Sequence, residues 1–207
     1  MNAFDATNSS GSLKTALNNM KTQPGDGIYV AKGVYRTTSE ADTFTLKPYV
    51  AVFGGFNGTE SGLSERDWMA NPTILSGDWN YSTLPGLDTA DTNNIVSAAR
   101  YSVLDGVMIT GSYSGASQAA VYASYIKGFT LSNCVVSGNR SASNSGGLYA
   151  TSSEITIDRC LFFSNDTNSS DGGAMYINAC PYFEVRNSVI AGNFAVGISG
   201  AIRYYNT

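Results

Sequence analysis

The apolar residues of this chain come in short alternating runs, not in helical stripes. Four such runs align one below another: Val103 to Ser112, Thr130 to Asn139, Thr156 to Asn165, and Glu184 to Asn193. Their first residues stand 27, 26 and 28 positions apart. Within each run the apolar side chains recur mainly at every second position, the period of a strand with one buried face. A polar stretch of varying length follows, then a landmark of small residues. The landmarks are Ala119-Ala120-Val121-Tyr122, Gly146-Gly147-Leu148-Tyr149, Gly172-Gly173-Ala174-Met175 and Ser199-Gly200-Ala201-Ile202, recurring at 27, 26 and 27. This period is too short for a propeller blade, and the leucine pattern of a leucine-rich repeat is missing. It fits one coil of a right-handed parallel β-helix, an all-β solenoid whose strands pair with the next coil about 4.8 Å away.

Stacked coils turn each inward position into a ladder. Leu104, Leu131, Ile157 and Val185 form one; Val107, Cys134, Cys160 and Ser188 a second; Ile109, Val136, Phe162 and Ile190 a third. The landmarks supply a fourth, read as Tyr122, Tyr149, Met175 and Ile202. Ser112, Asn139, Asn165 and Asn193 share the turn after the third ladder, where stacked amides can bond one another and the turn backbone. Cys134 and Cys160 read as small core hydrophobes, with a redox pair as the sharper alternative.

The first part of the chain is less regular. Residues 12–22 read as a short amphipathic helix with Leu13, Ala16, Leu17 and Met20 on one face, placed to cap the open edge of the first coil. Ile28-Tyr29-Val30 is read as the first strand, followed by segments 44–46, 50–52, 73–75 and 94–96. Residues 25–100 are expected to form irregular coils with long loops, and 101–207 regular coils. The whole chain, 1–207, is read as one domain. It stops just after a landmark, so further coils or a partner are expected to cover that edge.

Composition changes the picture in a few places. The net charge is −4, and no basic cluster is visible along the sequence. Nucleic acid and anionic membranes are therefore not expected partners. Histidine is absent, which removes any imidazole base or ligand. The three cysteines, Cys134, Cys160 and Cys180, match no zinc spacing and no disulfide framework. No apolar stretch is long enough to span a membrane. Met1 is followed at once by polar residues and no signal peptide is read here, so either export is not used or, as the fold favours, a signal outside this sequence is expected to direct it.

Several segments resemble a known group of proteins. Gly25 to Tyr35, Gly54-Gly55-Phe56-Asn57-Gly58-Thr59-Glu60, Arg66-Asp67 and Asn71 to Asp78 are similar to the opening coils of bacterial β-helix surface proteins. The later coils resemble the repeats of chlamydial polymorphic outer membrane proteins, marked by Gly-Gly-Ala-Ile and Phe-x-x-Asn motifs. Gly172-Gly173-Ala174-Met175 and Phe162-Phe163-Ser164-Asn165 approach both, whereas Val136 and Ile190 stand where the Phe belongs. The resemblance covers residues 12–207. It implies an autotransporter-like adhesin passenger at the cell surface, binding a glycan or a protein through loops and outer faces.

Candidate chemistry follows from the outward positions. The loop aromatics Trp68, Trp79, Tyr81, Tyr113 and Tyr125 suit sugar or protein contacts. The outward charges of the repeated strand are Asp105, Asp158, Glu184 and Arg186. As a site they would serve a polysaccharide lyase or glycoside hydrolase acting on an acidic polysaccharide, which is the alternative function. As structure, Asp158 and Arg186 are neighbours one coil apart and form a cross-strand ion pair. No cofactor is expected beyond a possible Ca²⁺ at Asp88 and Asp91, or near Asp166 and Asp171. A regular threonine array for ice is broken, because Val103 and Glu184 interrupt Thr130 and Thr156.

Overall fold

A computed structural model describes residues 3–4, 10–19, 22–81, 89–115, 118–168 and 171–205. It is an all-β parallel solenoid with one short α-helix. Three faces wind around a single core. The first face stacks seven strands: Ala3–Phe4, Gly27–Ala31, Ala51–Phe56, Val103–Asp105, Phe129–Ser132, Glu154–Asp158 and Tyr182–Arg186. The second stacks Gly33–Arg36, Thr73–Ser76, Val107–Thr110, Val135–Ser137, Leu161–Phe163 and Val189–Ala191. The third stacks Phe44–Thr45, Val96–Ser97, Val121–Ser124, Leu148–Thr151, Met175–Asn178 and Ile202–Tyr205. A narrow fourth ribbon, Tyr113–Ser114, Arg140–Ser141, Asp166–Thr167 and Phe194–Ala195, bridges the second face to the third in the later coils.

The expected coil register holds on the first two faces. Leu104 pairs with Leu131, Leu131 with Ile157 and Ile157 with Val185; Ile109, Val136, Phe162 and Ile190 run in parallel beside them. Leu104, Leu131, Ile157, Ile109, Val136 and Phe162 are fully buried. Each such aliphatic or aromatic side chain contributes about 2 kcal/mol of apolar burial. Val185, Ile190 and Ile202 in the last coil are only half-buried, because no described coil stacks on them.

Two sequence expectations are corrected. The fourth ladder is Val121, Leu148, Met175 and Ile202, and Tyr122 and Tyr149 pair outward with Tyr176 and then Arg203. Matching Gly146-Gly147 to Gly172-Gly173 had slipped the third and fourth landmarks by one residue. In a strand such a slip moves every side chain to the opposite face. The second correction concerns the first strand, because Ala3–Phe4 pairs with Gly27–Ala31 ahead of Ile28-Tyr29-Val30.

The helix, α1, spans Ser10–Asn18. Leu13, Ala16 and Leu17 are buried in the common core, which seats α1 on the first coil. Met20 lies outside the described residues.

Candidate functional site

The corner between the first and second faces carries the charged residues singled out in the sequence. In the four later coils the turn there needs one residue in the left-handed region: Gly106, Asn133, Arg159 and Asn187 all have φ between +50° and +71°. The residue just before that turn projects outward. In successive coils it is Asp105, Ser132, Asp158 and Arg186. Asp158 is joined to Arg159 at 2.6 Å and Arg186 at 3.3 Å, and accepts a hydrogen bond from Asn187 Nδ2 at 2.9 Å. Arg186 also reaches Glu184 at 3.6 Å, and Tyr182 donates to Glu184 at 3.0 Å.

Asp105 lies two coils away, about 10 Å along the axis. Arg66, from the loop after Ala51–Phe56, closes over it as an ion pair and donates to the Gly54 carbonyl at 3.0 Å. Ser132 and Asn133 donate to its other oxygen. Asn133 in turn accepts from Arg159 Nε at 2.9 Å. Asp105, Asp158, Glu184 and Arg186 are therefore members of one continuous column of ion pairs and hydrogen bonds. Both aspartates are engaged by at least three donors each, an arrangement that braces a corner.

The hydrogen bond from Asn187 and the guanidinium groups of Arg159 and Arg186 hold the Asp158 carboxyl below its ordinary value of 3.8, although burial pulls the other way. A carboxyl lowered on folding stabilises the protein above its unfolded value, and this contribution is lost as pH falls through the folded value. The urea midpoint of the wild type is thus expected to drop more below about pH 4 than that of Asp158→Asn. Parallel pH profiles for the two proteins would show that the column contributes nothing to stability.

The predicted loop aromatics are dispersed. Trp68 is half-buried with its backbone against Gly55, and Trp79 is half-buried and donates to the Ala90 carbonyl at 2.6 Å. Tyr113 sits half-buried in the narrow ribbon. Tyr81 is exposed beneath Arg36, 4.6 Å from its ring centre. Tyr125 is 81% exposed, the most open aromatic described.

The acidic loop residues do not converge. Asp91 is fully buried, Asp166 pairs with Arg140 and Asp171 with Arg203. Asp88 lies outside the described residues. Among those described, no three His, Cys, Asp or Glu side chains come together as a metal site.

Cys134, Cys160 and Cys180 are buried free thiols. Cys134 bonds the Ser132 carbonyl at 3.0 Å, and Cys160 the Leu131 and Asp158 carbonyls at 3.4 Å. Burial pushes the Cys134 thiol well above its ordinary range, as suits a core side chain.

A feature absent from the sequence reading dominates the third face. The rings of Tyr122, Tyr149 and Tyr176 stack across three coils, with centres 5.7 and 5.6 Å apart and planes within 9° and 5° of parallel. Their edges and hydroxyls form a file along the axis. Ser124, Thr151 and Asn178 form a second, polar file beside it in the same registers. Burial, with the phenols of Tyr122, Tyr176 and Tyr125 next, pushes the Tyr149 phenol up, so it stays a neutral donor.

The adjoining corner, between the third and first faces, carries three more tyrosines. Tyr49, Tyr101 and Tyr125 have φ of 61°, 52° and 54°, a conformation that costs a bulky L-residue roughly 1–2 kcal/mol. At the matching positions the next coils use Gly128, and Ser152 and Ala179, with the same backbone sign. The fold thus requires the left-handed residue but not an aromatic one.

Searches against family models, curated proteins and solved structures find no match to this chain.

Proposed function

We propose that this chain is an exported, non-enzymatic β-solenoid domain that binds glycan on its outer wall, in a structural and adhesive role. The supporting observation is the Tyr122–Tyr149–Tyr176 file with its parallel row of Ser124, Thr151 and Asn178. Rigid aromatic edges beside hydroxyl and amide groups suit sugar hydroxyls and carry little ordering cost. The resemblance to polymorphic outer membrane protein repeats supports surface display. The charged column at the opposite corner supports it differently. Its carboxylates are already committed to arginine and amide donors, whereas hydrolysis and elimination each need an uncommitted acid or base.

A glycan array, run with and without Ca²⁺ and followed by analysis of the bound sugars, tests this reading. Binding without cleavage is expected, weakened by Tyr149→Ala and left intact by Asp158→Asn. Cleavage of an acidic polysaccharide that Asp158→Asn and Arg186→Gln abolish would replace it with a carbohydrate-active enzyme.

A further inference from the structure

We infer that the corner between the third and first faces is a subsite for an anionic sugar chain laid along the solenoid axis; this rests on the glycan-binding reading above and narrows its ligand. In three successive coils the turn holds a cation and a tyrosine within two residues of each other: Lys47 and Tyr49, Arg100 and Tyr101, and Tyr125 and Lys127. Gly128 stands in register with Tyr101, and Tyr125 lies at the start of the same turn, at the end of the third face. Backbone bonds set the file, with Tyr49 N–H donating to the Arg100 carbonyl at 2.9 Å and Tyr101 N–H to the Lys127 carbonyl at 2.7 Å. The three turns therefore stand one coil apart and span about 10 Å.

The cations differ in how free they are. Lys47 donates to the Asn19 carbonyl at the end of α1. Arg100 is exposed and lies 5.2 Å from the Tyr101 ring centre. Lys127 is exposed and forms no ion pair among the described residues. A chain of net charge −4 thus keeps on one edge two cations, Arg100 and Lys127, that among the described residues form no ion pair.

The aromatics match them. The Tyr49 and Tyr101 rings lie 5.1 Å apart, and the Tyr101 ring covers Gly128, where an added Cβ would stand 2.3 Å from it. Tyr49 and Tyr101 are 44% and 41% exposed, and Tyr125 stands free at 81%. Cations with exposed tyrosine rings suit carboxylated or sulfated pyranoses, which offer charge to the first and apolar ring faces to the second. The cationic file stops at Lys127; one coil on, Ser152 and Glu154 take over the corner. A short stretch of chain is the fitting ligand.

Biolayer interferometry on the whole chain tests this with four probes: polygalacturonate for carboxylates, heparin for sulfates, neutral dextran, and single-stranded DNA as a polyanion without pyranose rings. The expected result is binding of at least one acidic glycan, weakened by added salt and tighter than that of dextran or DNA. Arg100→Gln combined with Lys127→Gln should weaken it by about tenfold, and Tyr125→Ser, which installs the residue of the next coil, by severalfold. The thermal midpoint, read alongside, should stay unchanged in both, since these side chains are exposed. Acidic glycans bound no better than dextran or DNA, or bound equally by the double variant, would overturn the subsite. In that case glycan-array binding lost on Tyr149→Ala would leave the broader reading standing. Binding of no sugar, neutral or acidic, would remove both.

Discussion

Replacing Asn139 with Ala is expected to destabilise the solenoid by about 3 kcal/mol, because its amide is the middle of a buried polar ladder. Asn139 Oδ1 accepts from the Ser112 N–H at 3.2 Å, and its Nδ2 donates to the Ile109 carbonyl at 3.1 Å and to Asn165 Oδ1 at 3.0 Å. Asn165 repeats the pattern, donating to the Val136 carbonyl at 2.8 Å and to Asn193 Oδ1 at 3.0 Å. Asn139 and Asn165 are essentially inaccessible to water. Truncation therefore strands several donors and acceptors, at roughly 1–3 kcal/mol for each one left unpaired. Asn193 in the last coil accepts from Asn165 and donates to the Phe162 carbonyl at 2.9 Å, without the onward amide bond, and is partly open. Water can replace its amide there, so Asn193→Ala should cost less than about 1 kcal/mol. Urea unfolding of the two variants decides the matter. Equal costs would show that the ladder stabilises through turn shape rather than through buried hydrogen bonds.

That ladder was legible in the sequence, and the reason is physical. A stacked coil repeats each chemical requirement at the same offset, so Ser112, Asn139, Asn165 and Asn193 announce one site four times. The Phe-x-x-Asn resemblance has the same origin, since Phe162 fills the core and Asn165 closes the turn behind it. What sequence reading missed depends on register or on distant loops. A one-residue slip at the Gly-Gly landmarks hid Tyr176 from its partners Tyr122 and Tyr149, and so hid the aromatic file. Arg66 falls outside the repeat, and only a long loop brings it over Asp105. Lys47, Arg100 and Lys127 lie too far apart along the chain to look like a basic patch. The first of these comes from the irregular coils, where no period links it to the others.

Gly147→Ala is expected to cost about 3 kcal/mol or more, at the upper end of overpacking penalties. The added methyl would stand 2.3 Å from the Ala174 carbonyl oxygen of the next coil and 3.2 Å from a Phe162 ring carbon. The ring could turn slightly, but the oxygen is fixed: it accepts from Leu148 N–H at 2.9 Å and from Ser145 Oγ at 3.2 Å. Moving it breaks the first rung of the third face between two central coils. This close approach explains why small residues mark each coil just before that face. The landmark is a spacing requirement, which is also why its glycines look alike and invite misalignment. Gly62→Ala is the matched control. It has extended backbone, φ −161°, and nothing within 4 Å of a new Cβ. It should be neutral or stabilising by a few tenths of a kcal/mol through loss of chain entropy. Thermal and urea unfolding of both variants measure the difference. If Gly147→Ala proves as harmless as Gly62→Ala, the coils can separate locally without loss, and the repeated small residues need another cause.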